Sequence, residues 1–245
     1  MSLILAIETD ARRCHRIEEA LAGTAHRLLA ADTLARGMEL SRNGSPDLIF
    51  VGTPKDADTL SAISHIRKEG DAKETPIVLL GESTDPAILG RLKQLSVLGV
   101  LSPEAPLDQL RRKVLAAVAA AEKMQLEQAL KRSHHVNVKR AQGQTRITIL
   151  SGLREHALGE LKVVLNAFFL KLIRNDLVIL DLRHIPEIPP GDARLIEQIV
   201  TVLGADKVLL VCGKHLGLLV SNTDLASSNK VFLSEEELNA HLQKK

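Results

Sequence analysis

The sequence predicts an α/β protein: a doubly wound five-stranded parallel sheet, a long connecting helix, and a second α/β domain. Three observations predict it. Short apolar runs alternate strictly with amphipathic stretches over the first 120 residues, the pattern of buried parallel strands joined by crossover helices. An alanine-rich stretch of high helix propensity follows. The alternation then restarts with different spacing. These divisions place a first domain at 1–120, a connecting helix and linker at 121–140, and a second domain at 141–245.

In the first domain, Leu3–Ile7 is a continuous apolar run and reads as the first strand. Asp10 is placed to cap the next helix, whose Cys14, Ile17, Ala20 and Leu21 fall on one stripe. His26–Ala31 is the second strand, and Asp32-Thr33 opens a helix that ends near Asn43-Gly44. Pro46-Asp47 leads into the third strand, Leu48–Val51, followed by a helix over Thr59–Lys68. Pro76–Leu80 is the fourth strand, Pro86–Leu95 a helix and Gly99–Leu101 the fifth strand. Pro106 then starts a helix that can run to about Ser133, because proline at a first helical position forfeits no hydrogen bond. This is an open sheet of the flavodoxin-like, doubly wound type, whose ligands sit at the carboxyl ends of the strands.

The long helix places Leu107, Leu110, Val114, Ala117, Ala121, Met124 and Gln128 near a heptad seam. Two readings stand side by side: a helix that pairs in a homodimer or sets the angle between domains, and a closing helix followed by a solvated linker. Lys131–Arg140 is locally basic, but no helix-turn-helix or winged element follows, so helix-end cations and a surface strand are the simpler reading. His134 and His135 have no flanking motif of a phosphoryl acceptor.

In the second domain, Thr145–Leu150 alternates as a half-buried strand does, and Ser151-Gly152 turns the chain. An amphipathic helix is expected over Glu155–Ile173, then a central strand over Asp176–Leu182 and a proline-stiffened loop over Ile185–Pro190. A helix over Gly191–Leu203, a strand over Lys207–Val211, a short helix over Leu216–Ser221 and a strand over Val231–Leu233 follow. Ser234-Glu235-Glu236-Glu237 opens the last helix with a capping box.

Composition excludes several function classes. The 32 basic and 30 acidic residues leave a net charge of +2, too small to attract nucleic acid or an anionic membrane. With no Trp, no Tyr and four Phe, there is no aromatic platform for single-stranded bases. Cys14 and Cys212 are too few and too far apart for a disulfide framework or a zinc site. No signal-peptide pattern and no apolar run of membrane-spanning length is present, so a cytoplasmic location without a membrane partner is expected. No cofactor is expected: neither a phosphate-binding GxxxxGK[ST] loop nor a GxGxxG fingerprint occurs.

The residues after each strand of the first domain carry a resemblance. Pro46–Val51, Thr75–Leu80 and Gly99–Leu110, with the element order, resemble a bacterial response-regulator receiver domain over about residues 1–120. The resemblance implies a nucleophilic aspartate after the third strand, because a carboxylate forms the aspartyl phosphate; that position is Gly52. It implies paired acidic groups after the first strand to hold Mg²⁺. Glu8 fits one place, Thr9 stands in the other and Asp10 is one position further on. Where the family has a hydroxyl after the fourth strand and a lysine after the fifth, this chain has Gly81 and Ser102-Pro103. The resemblance is therefore to a receiver without phosphoryl-transfer chemistry, a pseudo-receiver. Glu8 and Asp10 could still hold a divalent ion, against the simpler reading of a helix cap (Asp10) and a solvated strand end (Glu8). Asp56 and Asp58 could be displaced phosphoacceptors, against caps in the first turn of the third helix.

Three blocks of the second domain, Arg146–Gly152, Leu177–Leu182 with Ile185 and Ile188, and Lys230–Leu238, resemble a STAS domain, the family of sulfate-transporter and anti-sigma-factor antagonist modules. In antagonists of that family a loop before the second helix carries a phosphorylated serine. Here the stretch reads Ile188-Pro189-Pro190-Gly191-Asp192, with Arg194 beyond, and holds no hydroxyl. Asp192 could act as a fixed negative charge at a helix start or simply stabilise the helix dipole.

The expectation is a non-catalytic bacterial signal-transduction adaptor that docks regulatory proteins: an anti-sigma kinase, a STAS protein or a histidine-kinase assembly. The surface for this would be Ile188, Pro189, Pro190, Gly191, Asp192 and Arg194, the long connecting helix, or the fourth- and fifth-helix side of the first domain. The alternative is a small-molecule or nucleotide sensor, with Gly52, Gly81 and Gly213-Lys214 as the places to look. An enzyme would need a nucleophile and base at strand ends, and His184 has no Ser or Cys beside it.

Overall fold

The computed structural model describes residues 2–68, 72–82, 86–228 and 230–243. The chain divides into two compact units, Met1–Met124 and Gln125–Lys245.

The first unit alternates β1 (Leu3–Ile7), α1 (Ala11–Leu21), β2 (Arg27–Ala31), α2 (Leu34–Gly44), β3 (Leu48–Val51), α3 (Thr59–Lys68), β4 (Ile77–Leu80), α4 (Pro86–Gln94), β5 (Val97–Leu101) and α5 (Leu107–Arg132). The sheet order is β2-β1-β3-β4-β5, all parallel, the doubly wound arrangement the sequence predicts. β3 and β4 are buried along their whole length, which is why they read as uninterrupted apolar runs. One face of the sheet packs Ile4, Phe50 and Val78 against Cys14 and Ile17 of α1 and Leu110 and Val114 of α5. The other packs Leu5, Ile49 and Leu79 against Met38, Ile63, Ile66 and Leu92 of α2, α3 and α4. The caps follow the sequence: Asp10 accepts from Arg12 N and Thr33 from Arg36 N, satisfying orphan donors of the first turns.

Part of the expected heptad seam of α5 is used within the first unit, while Leu107 at its start is exposed. Leu110, Val114 and Ala121 lie in its core, together with Val118, so these positions serve the closing helix of their own domain.

The second unit contains β6 (Val136–Ala141), β7 (Gln144–Ile149), α6 (Leu158–Val164), α7 (Ala167–Leu172), β8 (Leu177–Asp181), α8 (Ala193–Leu203), β9 (Val208–Val211), α9 (Leu216–Asn222), α10 (Leu225–Ser228), β10 (Lys230–Phe232) and α11 (Glu235–Leu242). Its sheet order is β10-β9-β8-β7-β6, with β6 antiparallel to β7 and the other pairs parallel. One core unites Ile147, Leu180 and Leu210 with Leu161, Phe169, Ile196 and Val200 of the helices on one face. A smaller one joins Ile179, Leu209 and Val211 to Leu238 of α11 on the other.

Two expectations need correction here. The linker does not extend to residue 140: β6 pairs residue by residue with β7 from Val136↔Ile149 to Ala141↔Gln144. The hairpin closes through Gln142 and Gly143, both at positive φ (50° and 75°), the conformation of a two-residue turn whose twist matches the strands. The helix expected over Glu155–Ile173 is also interrupted. A π-helical turn at Leu153–Ala157 precedes α6, and Leu165 leaves helical geometry. Asn166 then caps α7 by accepting from Phe169 N at 2.9 Å. Among the described residues, no helix is long and apolar enough to cross a membrane.

Candidate functional site

The strands of the first sheet end at Ile7, Ala31, Val51, Leu80 and Leu101, and the residues just beyond them form the candidate site. Glu8 is its centre. Its backbone N–H donates to Ala31 O at 2.9 Å, continuing the β1–β2 ladder and turning the side chain inward. The residue is 2% exposed. The carboxylate Oε1 accepts from Asp10 N at 3.0 Å and Thr53 Oγ1 at 3.2 Å. Oε2 accepts from Thr53 N at 3.4 Å and meets Arg13 Nη1 at 3.5 Å. Glu8 is thus not the solvated strand end of the simpler reading; burying a carboxylate requires partners of this kind.

Gly52 makes room for it. A Cβ at position 52 would stand 2.0 Å from Glu8 Oε2 and 2.7 Å from Cδ, so the space of the absent side chain is filled by the Glu8 carboxylate. Gly52 N donates to Ile7 O, and Gly52 O accepts from Thr59 Oγ1 at 2.7 Å. The position the family resemblance assigns to a nucleophile therefore holds the carboxylate of a different strand.

The other predicted residues are tied into structure. Asp10 caps α1, and its carboxyl lies below its ordinary range because Arg12 N–H donates to it. Thr9 donates its hydroxyl to Asp32 O. Gly81 N–H donates to Leu101 O. Ser102 Oγ donates to Glu82 Oε1 at 3.0 Å, and Pro103 is buried. Asp58 caps α3 through Ser61 N. Asp56 does not cap α3; it reaches back to accept from Leu34 N and Ala35 N at the start of α2.

Two residues that sequence reasoning passed over are the cations of this site. Arg13 bridges Glu8 and Glu104, meeting Glu104 Oε1 at 3.3 Å. Arg16 donates to Pro103 O at 2.7 Å and Ala105 O at 2.5 Å. Both project from α1 and hold the β5–α5 loop. Their spacing of three puts them on one helix face, which was the available signal.

These groups do not fit a divalent ion. The Glu8 oxygens are committed to Asp10, Thr53 and Arg13, Asp10 is committed to its helix, and no second carboxylate faces Glu8 from β3. Among the described residues, no three His, Cys, Asp or Glu side chains come together as metal ligands. Cys14 lies beside the site, its thiol directed at Glu8 O; burial, and then the negative charges of Glu8 and Asp10, push it up to about 11. An open groove of about 470 Å³ runs between α1 and the edge strand β2, lined among others by Cys14, His15, Glu18, Leu28, Asp32 and Arg36.

In the second unit the predicted docking loop is divided. Pro189, Pro190, Gly191 and Arg194 are exposed, whereas Ile188 and Asp192 are buried. Asp192 pairs with Arg154, so it is a neutralised internal anion and not an exposed negative charge. Gly213-Lys214 forms no phosphate cradle: Lys214 Nζ donates to Pro186 O at 2.6 Å, and the following His215 is buried against Ile185 O.

Solved receiver proteins are similar to about half of this chain. The phosphorylated cyanobacterial phytochrome response regulator RcpA is 25% identical, covering 47% of this chain and 89% of that one with a TM-score of 0.41. The chemotaxis response regulator CheY4 of Vibrio cholerae is 16% identical, covering 48% and 98% with a TM-score of 0.44. The receiver domain of a sensor histidine kinase from Pseudomonas aeruginosa, which holds magnesium in its active-site cleft, is 18% identical, covering 48% and 97% with a TM-score of 0.41. No family model and no curated protein matches the sequence.

Proposed function

We propose that the chain is a cytoplasmic bacterial signalling adaptor of the two-component or partner-switching type, acting by docking proteins without phosphoryl transfer. The observation that carries this reading is the Glu8 carboxylate in the space of the Gly52 side chain. A phosphoryl acceptor needs a free carboxylate that a phosphodonor can reach. Among the described residues, the carboxylate at that point is that of Glu8, which is enclosed and engaged on both oxygens. The strand order β2-β1-β3-β4-β5 and the receiver-like residues support a regulatory origin. The STAS-like blocks of the second unit support a partner among anti-sigma kinases, STAS proteins or histidine-kinase assemblies. Exposed Leu89 of α4, Leu98 of β5 and Leu107 of α5, and the rim of Pro189, Pro190, Gly191 and Arg194, are the surfaces offered to it.

The test has two parts. Full-length protein incubated with acetyl phosphate and Mg²⁺ should gain no acid-labile phosphoryl group by intact mass; stoichiometric labelling would overturn the reading. Affinity capture, followed by pairwise reconstitution with the kinase or STAS protein recovered, should give a defined complex.

A second reading, a small-molecule sensor, is favoured by the groove between α1 and β2. Native mass spectrometry that retains a metabolite, with no protein complex reconstituted, would select it.

A further inference from the structure

The second unit contains a charged cluster that neither the adaptor reading nor the sensor reading uses. Asp181, the last residue of β8, is 2% exposed and gathers two guanidinium groups. Arg183 Nε and Nη2 donate to its two oxygens at 2.9 and 2.7 Å. Arg146 of β7 donates Nη1 to Oδ2 at 3.1 Å. The outer sides of both guanidiniums meet Glu235, the first residue of α11. Arg146 donates to its two oxygens at 2.8 and 2.5 Å, and Arg183 Nη2 donates to Oε2 at 2.8 Å.

The roles of the two carboxylates differ. Asp181 is buried and fixes the orientation of both arginines. Glu235 is at the rim, where Arg146 and Arg183 remain 24% and 30% exposed. Glu235 is also dispensable to its own helix. Ser234 Oγ accepts from Glu237 N, and Glu237 Oε2 accepts from Leu233 N at 2.8 Å, so the start of α11 is capped without it. In α11 only Leu238 is fully buried among the described residues. With Glu235 in place its carboxylate and that of Asp181 pair directly with the two arginines, and the Glu236 charge also acts on Arg183. Without it, two oriented guanidiniums face solvent above the buried Asp181, with the Glu236 charge still acting on Arg183; Arg146 then offers two donors and Arg183 one to a carboxylate or phosphate.

We propose that Arg146 and Arg183 form an oxyanion-binding site and that Glu235 is its built-in occupant, so that α11 competes with any external oxyanion for it. A tethered ligand acts at an effective concentration on the order of millimolar. An external oxyanion therefore displaces Glu235 only at comparable concentration, or when it brings further contacts of its own. Binding and release of the α11 start are thereby linked.

The test uses the full chain and the arginine Nε–Hε resonances of ¹⁵N-labelled protein, since no Trp or Tyr is present to report by fluorescence. Inorganic phosphate is titrated into wild type and into Glu235→Gln, and an acetylated Ser-Glu-Glu-Glu-Leu peptide, copying residues 234–238, is titrated in parallel. Phosphate should shift the Arg146 and Arg183 resonances of Glu235→Gln with at least tenfold higher apparent affinity than in wild type, and adding Arg183→Gln should abolish the response. A response to phosphate assigns the site to a free ion; a response to the peptide alone assigns it to an acidic protein segment. No response to either, or equal responses in wild type and variant, overturns the proposal. Hydrogen exchange of wild-type α11 keeps the question open to decision if the variant does not fold. Exchange over residues 235–242 should be faster in phosphate than in chloride at matched ionic strength, and unchanged exchange overturns the proposal.

Discussion

Glu8 and Gly52 share one volume: the carboxylate of the first occupies the space in which the second would carry a side chain, with Oε2 2.0 Å from the ideal Cβ position. The pair is set by strand register, since β1 and β3 are hydrogen-bonded neighbours and Ile7 is partnered with Val51 immediately before them. Gly52→Ala should therefore destabilise the first unit by about 1–3 kcal/mol, the cost of overpacking a filled interior. Glu8→Ala frees the volume but strips Thr53 of its acceptor. The double variant should lose less than the sum of the singles, with a coupling of at least about 0.5 kcal/mol. Urea denaturation of the four proteins measures it, and strict additivity would refute the shared volume. Gly52→Asp should not acquire a phosphoryl group from acetyl phosphate.

Glu160 predicts a pH dependence. Burial acts to raise its carboxyl, but the Ser133 hydroxyl and the N–H groups of His134, His135 and Val136 all donate to it and bring it down to about 2. A carboxyl lowered from 4.5 in the folded state contributes stability that is complete above its unfolded value and lost as pH falls towards the folded one. The second unit should weaken between about pH 4.5 and 2, and Glu160→Gln should flatten that part of the profile while lowering stability at pH 7. Denaturant midpoints across pH for both proteins test this; parallel profiles would contradict it.

The break between α6 and α7 depends on Asn166. Asn166→Ala removes the oxygen that satisfies Phe169 N and should cost about 1 kcal/mol, whereas Asn166→Asp should cost far less because it retains an acceptor. Thermal unfolding followed by circular dichroism distinguishes the two.

The cysteines should be inert in the native state. Burial raises the Cys14 thiol to about 11, and burial with the nearby Asp181 charge raises Cys212 to about 12. The reactive thiolate is then scarce at neutral pH. Iodoacetamide at pH 8 should label neither thiol in folded protein and both in guanidinium chloride, as read by intact mass. Rapid native labelling of Cys212 would show that its end of β9 opens.

The parts of this fold that were legible in the sequence are those decided locally. β3 and β4 are runs of four apolar residues, and they are buried on both faces. Asp10, Thr33 and Ser234 accept from N–H groups in the first turns of the helices they precede. What was not legible depends on distant partners. Gln142 gives no strong turn signal, and its positive φ is accepted because the six-residue strands on either side pair throughout. The apolar stripe Leu161, Val164, Phe168 and Phe169 continues across the break at Leu165, so periodicity alone favours one helix. At the candidate site the identity of Gly52 was visible, but not the inward turn of Glu8, which follows from the volume that Gly52 leaves. Arg13 and Arg16 carry no motif of their own, and their role follows only once the β5–α5 loop is placed beside them. Asp56 reads as a cap for the helix it precedes, yet its carboxylate is nearer the orphan N–H groups of α2.

The hairpin of β6 and β7 also sets an order of events during folding. Its partners, such as Arg140↔Thr145, are near neighbours in the chain, and such pairs close within microseconds. The partners of β7 and β8, such as Ile147↔Leu180, meet only after the intervening helices have been brought over the sheet, with the loop-closure entropy that this entails. The second unit thus has a local start and a non-local finish. Its hairpin can form while the rest of the unit is still unpaired, and it then presents a ready edge on which β8 can assemble.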